Sequence, residues 1–140
     1  MKDYFIESCV VSLDQAVGAF QRGADRLEVC TRLETEGMTP EINVVAKILN
    51  NVSIPVRVMI REIESGFGAD EIVLEKMISA IENFKGLPID GLVIGLLQQG
   101  RIDREKIQKL INSALPFSVT IHKAIDLSSD PESDVKWLNQ

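Results

Sequence analysis

The sequence predicts an α/β fold in which parallel strands alternate with helices that pack on the outside, and three observations lead to this fold class. Short apolar runs rich in branched residues alternate with amphipathic stretches of helical length. Gly, Pro, Asp or Asn stands at the joins between them. Five strand–helix units follow one another with short connections, an order typical of parallel sheets with right-handed crossovers.

Five segments combine β-branched and other apolar residues over the length of a strand. Each is bounded by turn-forming residues or by the start of an amphipathic stretch, so each is expected to begin and end close to these signals. The predicted strands are 4–10, 26–30, 56–61, 91–96 and 117–122.

Five amphipathic segments follow these strands, and a residue that can cap a helix precedes or opens each of them. Gly23 is placed to end the first helix, and proline follows the capping residue of the second and the fifth. The predicted helices, each with its capping residue, are 12–22 with Ser12, 40–50 with Thr39, 70–84 with Asp70, 103–114 with Asp103, and a last helix from residue 131 with Asp130.

Four predicted strands carry polar or sulfur-containing residues on one face, which favours a barrel over a doubly wound sheet. Strands of a doubly wound sheet are covered by helices on both faces and are nearly continuous apolar runs. Here the apolar face must meet the helices, so the other face points into the interior of a TIM-type (β/α) barrel, whose chemistry lies at the C-terminal ends of the strands. The inward residues are Glu7 and Cys9, then Arg26, Glu28 and Cys30, then Arg57, Met59 and Arg61, and last Ser118, Thr120 and His122.

The length of the chain predicts a single domain over residues 1–140 and a partial barrel. A complete barrel has eight units and typically about 250 residues, and five units are recognisable here. Five parallel strands leave two sheet edges open, so the sequence predicts self-association into a homo-oligomer through these edges. A truncated barrel without activity of its own is the corresponding alternative.

The acidic composition narrows the range of partners. A net charge of −6 and a pI near 4.8 argue against nucleic acid and anionic membranes, since both require a basic surface. A metal ion or a small anionic ligand is expected instead. The sequence shows no signal peptide and no apolar stretch of about 18 residues, so a cytoplasmic location without membrane insertion is predicted. In that reducing compartment the two cysteines are expected to be free thiols.

Several motifs, in this order along nearly the whole chain, together resemble the CutC family of copper homeostasis proteins. The resemblance implies a TIM-type barrel and a role in copper handling. The loop after the third strand keeps the family's Arg61 and Phe67, whereas Lys123 and Ile125 stand where Arg and Phe are common in the family. The motifs are CVVSLDQA at 9–16, GADRLEVC at 23–30, EGMTP at 36–40, VMIR at 58–61, DGLVIG at 90–95, GRID at 100–103 and VTIHKAID at 119–126.

The first candidate site is a Cu(I) site formed by Cys9 and Cys30. The two cysteines lie 21 residues apart, one strand–helix unit, and each lies near the C-terminal end of its strand with an inward side chain. Adjacent parallel strands are about 4.8 Å apart, so two thiolates could share a soft ion such as Cu(I). No CxxC motif or nearby methionine ligand accompanies them. The alternative is that both cysteines are small buried apolar residues.

The second candidate is a ligand site at the same end of the barrel. Glu7 and Glu28 share faces with the cysteines, and these acids either form an ion-pair network with Arg57 and Arg61 or serve a ligand. In the second case Arg61 holds a carboxylate or phosphate while a glutamate acts as a base. Two further residues belong to this candidate site. His122 is the single histidine and suits acid–base or metal-ligand chemistry. Asp126 either orients His122 or caps the turn before the last helix.

This second arrangement predicts a different function, a TIM-barrel enzyme acting on a small anionic compound. In that enzyme His122 and a glutamate form the acid–base pair, and Arg61 anchors the substrate. The two catalytic candidates are Glu28 and His122. The copper-binding and enzyme hypotheses share residues, and the sequence alone does not decide between them.

Overall fold

The computed structural model describes residues 2–140 and contains the predicted parallel sheet. Five strands pair in parallel and in chain order, with one additional two-stranded hairpin. The predicted α/β fold class, with parallel strands and helices outside, is confirmed. The strands are β1 (Glu7–Val10), β2 (Arg26–Val29), β3 (Val56–Met59), β4 (Gly91–Ile94), β5 (Leu97–Gln98), β6 (Arg101–Ile102) and β7 (Ser118–Ile121), and the sheet order is β1-β2-β3-β4-β7, with β5 paired to β6.

The predicted strand parity agrees with the burial of the side chains. Residues of the apolar parity pack against the helices and form the main core, where they are almost fully buried. The polar residues of each strand lie on the other face of the sheet, where Cys9 is paired in register with Glu28 and Glu28 with Arg57. The residues of the helix-facing core contributed by the sheet are Val10, Leu27, Val29, Val56, Val58, Ile60, Leu92 and Ile94.

The helices begin where the sequence predicts in four units, and their caps explain why. Each N-cap side chain accepts a hydrogen bond from a backbone N–H in the first turn. The second helix differs, because its N-cap is Glu41, and Thr39 is instead hydrogen-bonded to the backbone of Arg61. The helices are α1 (Leu13–Gln21), α2 (Ile42–Leu49), α3 (Glu71–Phe84), α4 (Arg104–Ala114) and α5 (Pro131–Leu138), with Ser12, Asp70, Asp103 and Asp130 as the side-chain caps.

Three differences from the predicted elements concern the strand ends and loops. The strands are shorter than predicted, and residues 4–6 lie outside β1 with exposed side chains. The hairpin β5–β6 interrupts the connection between β4 and α4, a segment with no long apolar run to indicate it. Two 3-10 turns, Leu33–Thr35 and Lys123–Leu127, lie at the C-terminal ends of β2 and β7.

No helix within residues 2–140 has the length and apolar character needed to cross a membrane. The strands β1 and β7 form the two edges of the five-stranded sheet. The single-domain organisation and the self-association through these edges stay predictions.

A buried carboxylate holds the last helix against the rest of the fold. The Asp134 side chain is fully buried and accepts two hydrogen bonds from Arg101, at 2.8 and 3.1 Å, and one from the backbone N–H of Ile102. The Ser128 hydroxyl donates to the same carboxylate at 2.6 Å. These bonds join α5 to the β5–β6 hairpin, and they hold the pKa of Asp134 well below its usual range, with the Arg101 hydrogen bonds as the largest cause.

Replacing Asp134 by Asn is expected to lower the free energy of unfolding by about 2–4 kcal/mol, because it leaves buried donors without a charged acceptor. Urea-induced unfolding measures the change. Glu132→Gln is the matched control on the same helix, since Glu132 forms only an exposed pair with Lys136 and its loss should leave the unfolding midpoint nearly unchanged. Equal midpoints for both variants would contradict this role of Asp134.

Candidate functional site

A cavity of about 640 Å³ opens at the C-terminal ends of the strands, on the face that carries the polar parity. Strand residues form its floor, and the segments that follow β2, β3 and β7 form its walls. We call it the central cavity. Its lining residues are Cys9, Glu28, Leu33, Glu36, Met59, Phe67, Thr120, Ile121, His122, Lys123, Ile125 and Asp126.

Cys9 and Cys30 lie side by side at the edge of this cavity. Their Sγ atoms are 3.6 Å apart, within hydrogen-bonding distance for sulfur, and both cysteines are free thiols. Cys9 is exposed, whereas Cys30 is 1% exposed and forms a small apolar cluster with Met59 and Val93. The predicted proximity of the two thiols is therefore present, with one sulfur accessible from the cavity and one beneath it.

The hydrogen bond between the thiols makes their acidities unequal. A hydrogen bond from Cys30 lowers the pKa of Cys9, because it stabilises a thiolate there. The same contact, together with burial, raises the pKa of Cys30. Glu28, beside Cys9 in the neighbouring strand, has a pKa raised by burial and by the nearby charge of Glu7. The contact therefore makes Cys9, the accessible thiol, the more acidic of the two.

The acids and arginines predicted from the sequence are partnered in a different way from the network considered above. Glu7 pairs with Arg26 on the adjacent strand, and both side chains are about a quarter exposed. Arg57 pairs with Asp90 at 3.0 Å and also donates to Thr120. These pairs use strand neighbours, so neither Glu7 nor Arg57 is directed to the central cavity.

Arg61 is a buried cation whose donors are used by the backbone. It is 3% exposed, and its terminal nitrogens donate to the carbonyl oxygens of Thr35 and Gly37 at 2.5 and 2.9 Å and of Glu64 and Gly66 at 3.3 and 2.9 Å. Its guanidinium also lies 5.0 Å from the centre of the Phe67 ring. Burial lowers the pKa of Arg61. Only Nε is left without a partner, so the predicted fork toward a ligand is already occupied by two loops.

His122 is held between Phe67 and the backbone of Gly95. A side chain at Gly95 would overlap the imidazole ring, and the Phe67 ring centre lies 5.2 Å from that of His122. Its Nδ1 accepts a hydrogen bond from the Ala124 N–H at 3.1 Å, so in the neutral ring Nε2 carries the proton. This Nε2 is buried and has no hydrogen-bond partner within the described chain. Burial, and next the charge of Arg61, lower the pKa of His122 to about 4, so the ring is neutral at pH 7.

The rim of the central cavity carries an exposed ion pair and the predicted Asp126. Lys123 Nζ donates to Glu36 Oε1 at 2.7 Å across the rim. This hydrogen bond lowers the pKa of Glu36. Asp126 lies in the 3-10 turn after β7 and lines the cavity, but it makes no hydrogen bond to His122 among residues 2–140. The residue that caps α5 is Asp130.

Two residues of the site were noted in the sequence, Met59 on the inward face and Phe67 in the loop after the third strand, but neither was assigned a role, and no methionine was expected near the cysteines. Met59 lines the cavity and belongs to the same cluster as Cys30, although it is 29 residues away along the chain, so no local motif indicated it. Phe67 lies on the loop after β3, and its ring contacts both Arg61 and His122. Across residues 2–140 no group of three or more His, Cys, Asp and Glu side chains is arranged as a metal site.

The parallel sheet, the outer helices and a cavity at the strand C-termini define a protein of the (β/α) barrel class. The CutC family model matches residues 4–140, and the chain belongs to the CutC family. This confirms the resemblance drawn from the motifs. A human relative, named copper homeostasis protein cutC homolog, is 38% identical over 136 residues, which cover 96% of this chain and 50% of the relative.

Other relatives agree with this assignment. A CutC family protein from Histophilus somni is 39% identical over 134 residues, covering 95% of this chain and 55% of that protein. A crystal structure of a CutC copper homeostasis protein from Streptococcus agalactiae superposes with a TM-score of 0.88 at 27% identity, covering 96% of this chain and 68% of that one. A Burkholderia cenocepacia structure described as a phosphonomutase, with a TM-score of 0.60 and 16% identity over 96% of this chain and 60% of its own, shows the fold alone. The chain spans about half the length of the curated relatives it matches.

The stability of the protein is expected to fall as the pH drops from about 6.5 to about 4 because of His122. In this interval the unfolded chain binds a proton on the imidazole while the folded protein does not, so acid favours unfolding by about 2–3 kcal/mol. In His122→Asn the amide oxygen can still accept from the Ala124 N–H, but the titrating group is gone.

Chemical denaturation at several pH values measures this effect. The difference in unfolding free energy between the parent and His122→Asn should narrow steadily as the pH falls through this interval, because carboxylates contribute equally to both proteins. A difference that stays constant with pH would contradict a neutral buried imidazole.

Proposed function

We propose that the protein acts in copper homeostasis in the cytoplasm and binds Cu(I), as cargo, through Cys9 and Cys30. The observation that carries this proposal is the 3.6 Å separation of the two Sγ atoms at the C-terminal ends of β1 and β2. The names of the relatives support it, because the human and mouse relatives are both described as copper homeostasis proteins.

The chemistry of the thiol pair fits a soft, low-coordinate ion. Thiolates are preferred ligands of Cu(I), which accepts two or three sulfur donors without a demanding geometry. The exposed Cys9 offers a first point of contact, and the buried Cys30 completes the pair after a small movement of the ion inward. Binding of Cu(I) displaces the protons of both thiols, so the affinity falls as the pH is lowered.

Anaerobic competition binding with purified, reduced protein tests the copper site. One Cu(I) per chain is expected, and the double variant Cys9→Ser with Cys30→Ser should lose this binding because hydroxyl oxygen is a poor ligand for the ion. Ser8→Ala is the matched control, since Ser8 precedes Cys9 on the opposite face of β1 and should keep the parent affinity. Sedimentation of the same samples records the oligomeric state.

Two results would end this proposal. Binding of Cu(I) by the double serine variant as tightly as by the parent would remove the thiol pair from the site. The absence of Cu(I) binding by folded, reduced parent protein would leave the cysteines as packed residues of the cavity floor.

We infer a second candidate function, the binding of a small anionic compound in the central cavity, from two unpartnered donors. Arg61 Nε and His122 Nε2 are both buried without a hydrogen-bond acceptor, and both side chains lie against the Phe67 ring. A buried donor without a hydrogen-bond acceptor costs about 1–3 kcal/mol of stability. An anion that takes the place of the Phe67 ring would accept these hydrogen bonds and recover that free energy. The neutral imidazole would donate from Nε2, as a hydrogen-bond donor to a carboxylate or phosphate oxygen.

Titration with inorganic phosphate and with acetate, followed by the 15N resonances of His122, tests this candidate. Phe67→Ala should bind these anions more tightly than the parent, by about tenfold, since the ring no longer covers the donors. Leu33→Ala, at another wall residue of the cavity, should leave the affinity unchanged. A His122 spectrum that neither anion changes in either protein would exclude an anion site at these donors.

A further inference from the structure

Met59 lies at the same level of the sheet as Cys30, one strand further along. The register of β2 and β3 pairs Val29 with Val58, so the next residues on the two strands are Cys30 and Met59. Adjacent parallel strands are about 4.8 Å apart, and both side chains have the inward parity. Their positions therefore place the thioether beside the thiol pair.

The packing around Gly37 confirms that the two sulfur side chains share one small space. A Cβ atom at Gly37 would lie 3.4 Å from Cys30 Sγ and 3.6 Å from Met59 Cε. One backbone position thus contacts the end of both side chains. Gly37 has a positive φ of 91°, and its carbonyl oxygen accepts from Arg61, so this contact is fixed by the backbone rather than by a flexible side chain.

Met59 also reaches the central cavity, which an ordinary core methionine does not. It is 5% exposed and lines the cavity together with Cys9, whereas Met77 is 1% exposed and belongs to the helix-facing core. The three sulfur-bearing side chains therefore lie next to one another on three consecutive strands, with Cys9 at the accessible side, Cys30 beneath it and Met59 packed against Cys30.

A thioether suits this position chemically. It is a soft, uncharged donor that binds Cu(I) and contributes little to the binding of Zn²⁺. Two thiolates and Cu(I) already leave one net negative charge in a cavity that also holds Glu28. A third anionic ligand would add to this charge in apolar surroundings, while a neutral sulfur completes the coordination without it.

We propose that Met59 is a third sulfur ligand of the copper site and makes it selective for Cu(I). This inference rests on the proposed function, because it assumes that Cys9 and Cys30 bind the ion. It adds a trigonal sulfur site formed by three consecutive strands, and it assigns the discrimination against Zn²⁺ to the thioether.

Carbon-13 labelling of the methionine methyl groups tests the ligand directly. The chain has four methionines, and addition of one equivalent of Cu(I) to reduced protein should shift the Met59 methyl resonance. The Met77 methyl resonance is the internal control and should not move, because Met77 packs in the other core.

Competition binding with Met59→Leu gives the energetic test. Leucine keeps the volume and apolar character of the side chain, so the fold is expected to remain intact. The affinity for Cu(I) should fall about tenfold or more, while the affinity for Zn²⁺ should be unchanged. Met77→Leu is the matched control and should bind both ions as the parent does.

The outcomes separate this inference from the function on which it rests. An unshifted Met59 methyl group in copper-loaded parent protein would overturn the third ligand while leaving the thiol pair in place. Equal Cu(I) affinities of parent and Met59→Leu, with binding still lost in the double serine variant, would overturn it as well. Absence of Cu(I) binding by the parent would end both proposals, and if Met59→Leu failed to fold, the methyl resonance of the parent would decide.

Discussion

The buried guanidinium of Arg61 fixes the relative positions of the loops that follow β2 and β3. Four backbone carbonyl oxygens accept its hydrogen bonds, two from each loop, and within the described residues no carboxylate comes within ion-pair distance of it. The charge is therefore stabilised by oriented carbonyl dipoles. Because Gly37 is one of the acceptors and also packs against Cys30 and Met59, the same guanidinium holds in place the loop that lies against these two side chains.

This arrangement divides the central cavity into two halves of opposite character. One half is lined by Cys9 and Glu28, with Cys30 beneath Cys9, and the carboxylate and the two thiols favour a cation. The other half holds His122 behind the Phe67 ring, close enough to Arg61 for its charge to help keep the imidazole neutral. The soft-cation site and the anion site that we propose thus lie at different walls of one cavity, and neither proposal needs the groups of the other.

The sequence predicted the sheet and the thiol pair because both depend on periodicity. The strand parity placed Cys9 and Cys30 on one face, and the spacing of one strand–helix unit placed them on neighbouring strands. The sequence did not predict the partners of Arg61, since every residue has a backbone carbonyl oxygen and no side chain indicates which of them will accept a hydrogen bond. The contact of Met59 with Cys30 and the β5–β6 hairpin were missed for a related reason, because both depend on the register between strands. The roles assigned to Glu7 and Asp126 stay predictions.

The five-stranded sheet is assembled in chain order, and this has a consequence for how the protein folds. In the sheet β1-β2-β3-β4-β7 the three inner strands pair with the strands of the preceding and the following unit, and the edge strands β1 and β7 pair with one neighbouring unit each. The contacts that build the sheet therefore close loops of one unit at a time, and loop-closure entropy stays small at every step. Sheets whose neighbouring strands are distant in sequence fold more slowly at similar stability. The thiol pair, which needs only β1 and β2, can accordingly form as soon as the first two units have docked.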